Sequence, residues 1–148
     1  MKSKRVFMGM FVATALFLGI SVYAQVSRPY KDGAAWSIAM IRMKPGMENA
    51  YKTYVAGQWR TEQEALKKAG LIVDYMVIES ENHNPNEWNL LLMTKYKDLA
   101  AMEASAEKAD AMAQQLIGDD QKQMEGYRQR AEIREVLGGR LAREIVFK

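Results

Sequence analysis

An α+β fold built on a four-stranded antiparallel sheet is predicted, and three observations predict it. A short apolar run over residues 35–43 stops at Lys44-Pro45-Gly46, and a long helical pattern begins at once. Two more short apolar runs follow with only a polar loop between them, and a last one closes the chain after further helical segments. These runs carry apolar side chains at both odd and even positions, so both faces of the sheet are expected to be covered.

The N-terminus precedes that pattern. Lys2, Lys4 and Arg5 lead into an almost wholly apolar stretch over residues 6–23, and Val22 and Ala24 stand where a small-residue cleavage site needs them. Basic start, apolar middle and small-residue cut make up a secretory signal. Residues 1–24 are therefore expected to be a signal peptide cleaved after Ala24. The alternative is an uncleaved anchor, but the run is near the lower limit for spanning, roughly 17–25 residues, and Gly9 and Gly19 weaken it. A chain with an export signal and no cysteine fits a bacterial periplasm better than a disulfide-stapled secreted domain.

Three of the 21 Lys and Arg residues, and none of the 18 Asp and Glu, lie in the first 24 positions, so the remainder balances at 18 against 18. The net charge of +3 belongs to the signal and argues for no nucleic-acid partner. After cleavage no membrane partner is expected. The rest of the 148-residue chain suits one domain with its own core, over residues 35–148, after a polar lead-in over residues 25–34.

Each element has its signals. Residues 35–43 form a first strand, and Pro45-Gly46 breaks it. Residues 47–69 form a helix with Met47, Tyr51, Tyr54, Val55, Trp59, Leu66 and Ala69 near one face. Glu48 in its first turn and Lys67-Lys68 in its last suit the helix dipole, and Gly70 stops it. Residues 71–80 form a second strand, 81–86 a polar turn, and 87–96 a third strand. Asp98 caps a helix to about residue 117, with Leu99, Met102, Ala106, Ala109, Ala113 and Leu116 inward. Asp119 or Asp120 caps a further helix to about residue 137, whose alternating charges make a solvated face. Gly138-Gly139 breaks it, and residues 140–147 form the last strand. The order β-α-β-β-α-(α)-β is the ferredoxin-like arrangement. Two helices cover one sheet face; the other needs a cover, and the economical one is the same face of a second copy in a two-fold homodimer.

The stretch Arg42-Met43-Lys44-Pro45-Gly46-Met47-Glu48 with Tyr51, the strand over residues 88–93, the helix entry Tyr96-Lys97-Asp98-Leu99 and the last strand over residues 141–147 together resemble the dimeric α+β barrel superfamily. That superfamily includes antibiotic-biosynthesis-type monooxygenases, stress-responsive barrel proteins and haem-degrading monooxygenases. The resemblance runs from about residue 36 to 147 and implies sheets paired face to face around a barrel interior; the extra helix over residues 120–137 departs from the minimal pattern. It implies pocket groups among Trp36, Arg42, Tyr51, Tyr54, Trp59, Tyr75, Trp88 and Arg143. Aromatics at such spacing also serve as core. Arg42 and Arg143 each need a partner if covered, and Asp74 and Glu144 are the expected ones.

Catalytic residues are not identified. His83 is the single histidine and lies in an Asn-rich turn, away from any helix that would present an axial ligand, so the haem-degrading set is not carried over. One His and no Cys leave no zinc constellation, and no Gly-x-Ser-x-Gly elbow, phosphate loop or dinucleotide glycine fingerprint occurs. No metal and no cofactor is expected. The resulting expectation is an exported homodimeric barrel that binds a small apolar or aromatic molecule. The alternatives are a cofactor-independent monooxygenase acting on an aromatic substrate, and a structural or assembly protein with a filled barrel.

Overall fold

The structure is a computed structural model that describes residues 27–81 and 84–148. The expected signal over residues 1–24, its cleavage site and His83 lie outside the described residues. Strand β1 (Tyr30–Met43) leads into α1 (Glu48–Tyr54), a π-helical segment (Val55–Trp59) and α2 (Arg60–Lys68). Strands β2 (Asp74–Glu79) and β3 (Leu90–Tyr96) follow, then α3 (Leu99–Leu116), α4 (Asp120–Ala131) and β4 (Arg134–Phe147). The sheet order is β2-β3-β1-β4 with every neighbouring pair antiparallel. The predicted ferredoxin-like topology is therefore the observed one.

One side of the sheet carries the core. Ile41, Met43, Leu90 and Leu92 pack against Tyr51, Val55 and Trp59 of the first helical rod, with Ala39, Tyr75 and Ile133 at the margin. Asp98 caps α3 by accepting from the Ala101 N–H at 2.7 Å, and Asp119 caps α4 by accepting from the Lys122 N–H at 3.0 Å. Among the described residues, no helix is long and apolar enough to cross a membrane.

The rod is continuous, because the junction residues Tyr54, Val55, Trp59 and Arg60 all keep helical dihedrals. Its buried side chains are Tyr51, Val55, Trp59 and Gln63, four apart each time. At about 3.6 residues per turn a series spaced by four drifts around the helix axis. The wider π turn takes back part of that drift and keeps the series on the sheet. This corrects the expected inner face: Met47 and Ala69 are exposed, while the polar Gln63 is buried and accepts from the Thr94 hydroxyl at 2.9 Å.

Other boundaries also moved. The lead-in is not free: β1 begins at Tyr30, and Gly33 sits in a bulge so close to β4 that an added Cβ would lie 2.9 Å from the Glu144 Cβ. The extra helix stops at Ala131, and Gly138-Gly139 lies inside β4. There Leu137 is an extra residue between the pairs Met40↔Gly138 and Ile41↔Val136, and Gly138 takes φ +142°, which favours glycine. Trp88 precedes β3, half-buried, and does not belong to the strand. In α3 the buried position is Ser105, with Ala106 and Leu116 exposed, because the helix turns its Ala101–Ser105–Ala109 edge inward.

Among the described residues, nothing covers the other sheet side. Strand alternation places Met76, Met93 and Ile38 in one row across it and Ile78, Leu91 and Met40 in the next. Met76 and Ile78 are exposed and the other four half-buried.

Candidate functional site

The first rod supplies two aromatic pairs. Tyr51 and Tyr54 stack with centroids 5.6 Å apart, and Trp59 meets Tyr75 edge to face at 5.5 Å. Over the first pair lie two guanidinium groups from the far end of the chain. Arg130 of α4 sits 4.6 Å from the Tyr54 ring; Arg134, at the start of β4, sits 5.5 Å from the Tyr51 ring and 5.3 Å from that of Tyr127. Arg134 is only 8% exposed. Neither arginine has an ion-pair partner within 4.0 Å among the described residues, and the Nε atom of each is buried without a hydrogen-bond partner. Cation–π contact offsets part of the cost of burying these charges, roughly 0.5–2 kcal/mol for each stacked ring.

Beside this stack, the π segment, α2, α3 and α4 enclose an open cleft of about 590 Å³. Ala113, Ile117 and Met124 give it apolar walls, and Gln58, Glu62, Gln123, Tyr127 and Arg130 bring polar groups to it. Gln58 belongs to the π segment and donates from Nε2 to Glu62 at 3.0 Å. Burial raises the Glu62 carboxyl above its ordinary value, against the opposing pull of the Gln58 hydrogen bond and the Arg130 charge. Burial also raises Tyr54, and pushes Tyr51 up to about 12 despite Arg134 nearby.

The expected pocket residues do not converge. Tyr51 and Tyr54 form the floor under the two arginines, next to the cleft. Trp59 and Tyr75 line a separate apolar pocket of about 170 Å³ between the rod and the edge strand β2. Trp36 lies on the uncovered sheet face, donating from Nε1 to Glu144 at 2.9 Å with the Lys95 ammonium 5.2 Å from its ring. Arg42 lines a third pocket, of about 310 Å³, beside Pro45 and Pro85. Trp88 stands in the turn before β3.

The expected arginine partners are corrected too. Arg42 pairs with Glu135, its neighbour across β4, and Arg143 with Asp32 at 2.8 Å. Asp74 is taken by Lys67, and Glu144 by Lys95 and Trp36. Both follow from register, which sets Glu135 opposite Arg42 and keeps Asp74 on the far edge of the sheet. The hydrogen bond from Lys67 holds the Asp74 carboxyl below its usual range, and that from Lys95 does the same for Glu144.

The cleft residues on α4 were missed. Their signal is present in the sequence, since Gln123, Tyr127 and Arg130 recur at helical spacing. It was hidden in a segment whose alternating charges read as a solvated face. Among the described residues, no group of three or more His, Cys, Asp and Glu is placed to hold a metal ion.

No family model matches the chain, and no curated protein matches it. Among solved structures, HapK from Hahella chejuensis is 14% identical over 74% of this chain and 91% of its own, with a TM-score of 0.49. A nipsnap family protein of unknown function from Agrobacterium tumefaciens is also 14% identical, over 78% of this chain and 90% of its own, again at 0.49. A dimeric ferredoxin-like protein from an uncultured marine organism is 8% identical over 80% and 90%, with the same TM-score of 0.49. None of the three supplies a residue role or a partner for this chain.

Proposed function

We propose that this protein is an exported homodimer that binds a small, mainly apolar molecule in the cleft between its first helical rod, α3 and α4. The cleft carries the reading. Its volume of about 590 Å³ falls in the range of small-molecule sites, and a few polar groups converge on otherwise apolar walls.

The uncovered sheet face supports the homodimer. Its six apolar side chains lie between the Arg42–Glu135 pair toward one end and the Lys95–Glu144 pair toward the other. Both charge signs at both ends suit a self-complementary two-fold contact. The cleft lies on the helical side of the sheet, so a second copy on the open face leaves it accessible. Export rests on the signal pattern of residues 1–24.

Native mass spectrometry of the purified protein tests the assembly, with a dimer mass expected. A monomer at every concentration would remove the homodimer. Titration with an apolar fluorescent dye tests the cleft, with saturable binding expected. Met124→Trp, which fills the apolar wall, should abolish that binding without loss of the fold; a dye that binds the variant equally well is not in the cleft.

A further inference from the structure

This inference rests on the ligand-binding reading above and names the chemistry of the ligand. We infer that the cleft takes an amphiphile with a carboxylate head, the head seated on the Arg130 guanidinium and the apolar body lying against Ile117 and Met124.

Arg130 reaches the cleft without a close ion-pair partner among the described residues, though its charge is felt by Glu62. Its Nε is buried and unpartnered, no carboxylate lies within 4.0 Å of it among the described residues, and its guanidinium carbon sits 4.6 Å from the centre of the Tyr54 ring. A guanidinium is always charged, and its planar fork matches a carboxylate in two parallel hydrogen bonds. Contact with the Tyr54 ring holds the guanidinium beside the cleft.

Arg134 adds a second positive charge behind the same wall, almost fully buried against Tyr127 and also without an ion-pair partner among the described residues. Two cations without an ion-pair partner within 4.0 Å among the described residues favour an anion in the adjoining cleft.

The cleft also holds two carboxyl groups, and neither forms an ion pair with Arg130 within 4.0 Å among the described residues. Asp120 accepts from the Gln114 amide at 3.4 Å at the exposed rim. Glu62 accepts from Gln58, and its burial favours the neutral form. The apolar walls then fit a body of methylene or ring groups, with the flexible Met124 adapting to its shape.

Calorimetric titration of the purified protein with decanoate, decanol and decylamine tests this. Decanoate should bind about tenfold to a hundredfold more tightly than either of the others, the range expected for a charge-assisted pair. Arg130→Gln should erase that preference and leave decanol binding unchanged, and Arg130→Lys should restore part of it.

Equal binding of decanoate and decanol by the wild-type protein would overturn the carboxylate assignment while the apolar-ligand reading stands. A preference for decylamine would overturn it as well. No binding of any of the three would overturn both readings. If Arg130→Gln fails to fold, the order of the three probes on the wild-type protein decides alone.

Discussion

Asn89 is 5% exposed and ties the end of β1 to the start of β3. Its Oδ1 accepts from the Met43 N–H at 2.7 Å, its Nδ2 donates to the Met43 carbonyl at 3.3 Å, and its own N–H donates to the Ile41 carbonyl at 2.9 Å. Asn89→Leu keeps the size but strands both backbone groups of Met43 in a buried place, at a cost of about 1–3 kcal/mol. Urea denaturation measures this, and an unchanged midpoint would mean that water replaces the amide there. Glu62 gives a second test at this scale. Its folded pKa is raised, so its stabilising contribution is complete below the unfolded value, about 4.3, and is lost as pH rises through the folded value. Glu62→Gln removes that loss. The variant should therefore gain stability relative to the parent between pH values near 4 and near 8, as denaturation curves at the two ends would show. Neither residue was legible as important in the sequence. Asn89 sits in an apolar run and meets a partner 46 positions away, and Glu62 owes its shift to helices that fold over it from elsewhere in the chain.

At the scale of elements, two glycines make opposite predictions. Gly57 lies on the exposed side of the π segment, and a Cβ there would meet nothing within 4 Å. Gly57→Ala should stabilise the protein by about 0.5–1 kcal/mol by reducing the freedom of the unfolded chain. Gly138 takes φ +142°, though a Cβ there would meet only the Met40 Cε at 3.5 Å. Gly138→Ala should therefore destabilise through backbone strain and not through crowding, by roughly 1–3 kcal/mol. Thermal unfolding separates the two, and a stabilised Gly138→Ala would show that the bulge relaxes. The sequence marked Gly138-Gly139 as a break because glycine pairs usually end helices. In the sheet the same pair instead bends an edge strand. The helix had already stopped at Ala131, where no glycine or proline announces an end. That is why the last boundary was missed by several residues.

At the scale of the whole molecule, the open sheet face decides assembly. Met93 lies mid-row there, between Met76 and Ile38. Met93→Glu should leave the helical-side core intact and yield a folded monomer, detectable as a halved mass in native mass spectrometry with an unchanged far-ultraviolet spectrum. A folded dimer of unchanged stability would move the contact elsewhere. The edge strand β4 is a further exposed apolar surface, with Leu141, Ile145 and the 78%-exposed Phe147. Exposed edges of this kind invite pairing with another chain. A dimer that survived Met93→Glu would therefore direct attention to β4.

The sequence by itself determined the element order, the Asp98 cap, and which side chains of β1, β2 and β3 share a face. These follow from alternation, helical periodicity and backbone breakers, which act over a few neighbouring residues. The same local rules exposed the two-sided apolarity that calls for a partner. Only the tertiary structure decided that Arg42 meets Glu135, that Tyr51 and Tyr54 lie beneath Arg134 and Arg130, and that a cleft opens between the π segment and α4. Each of those contacts joins segments far apart in the chain. Their geometry depends on strand register and helix crossing, quantities that no local pattern of residues carries.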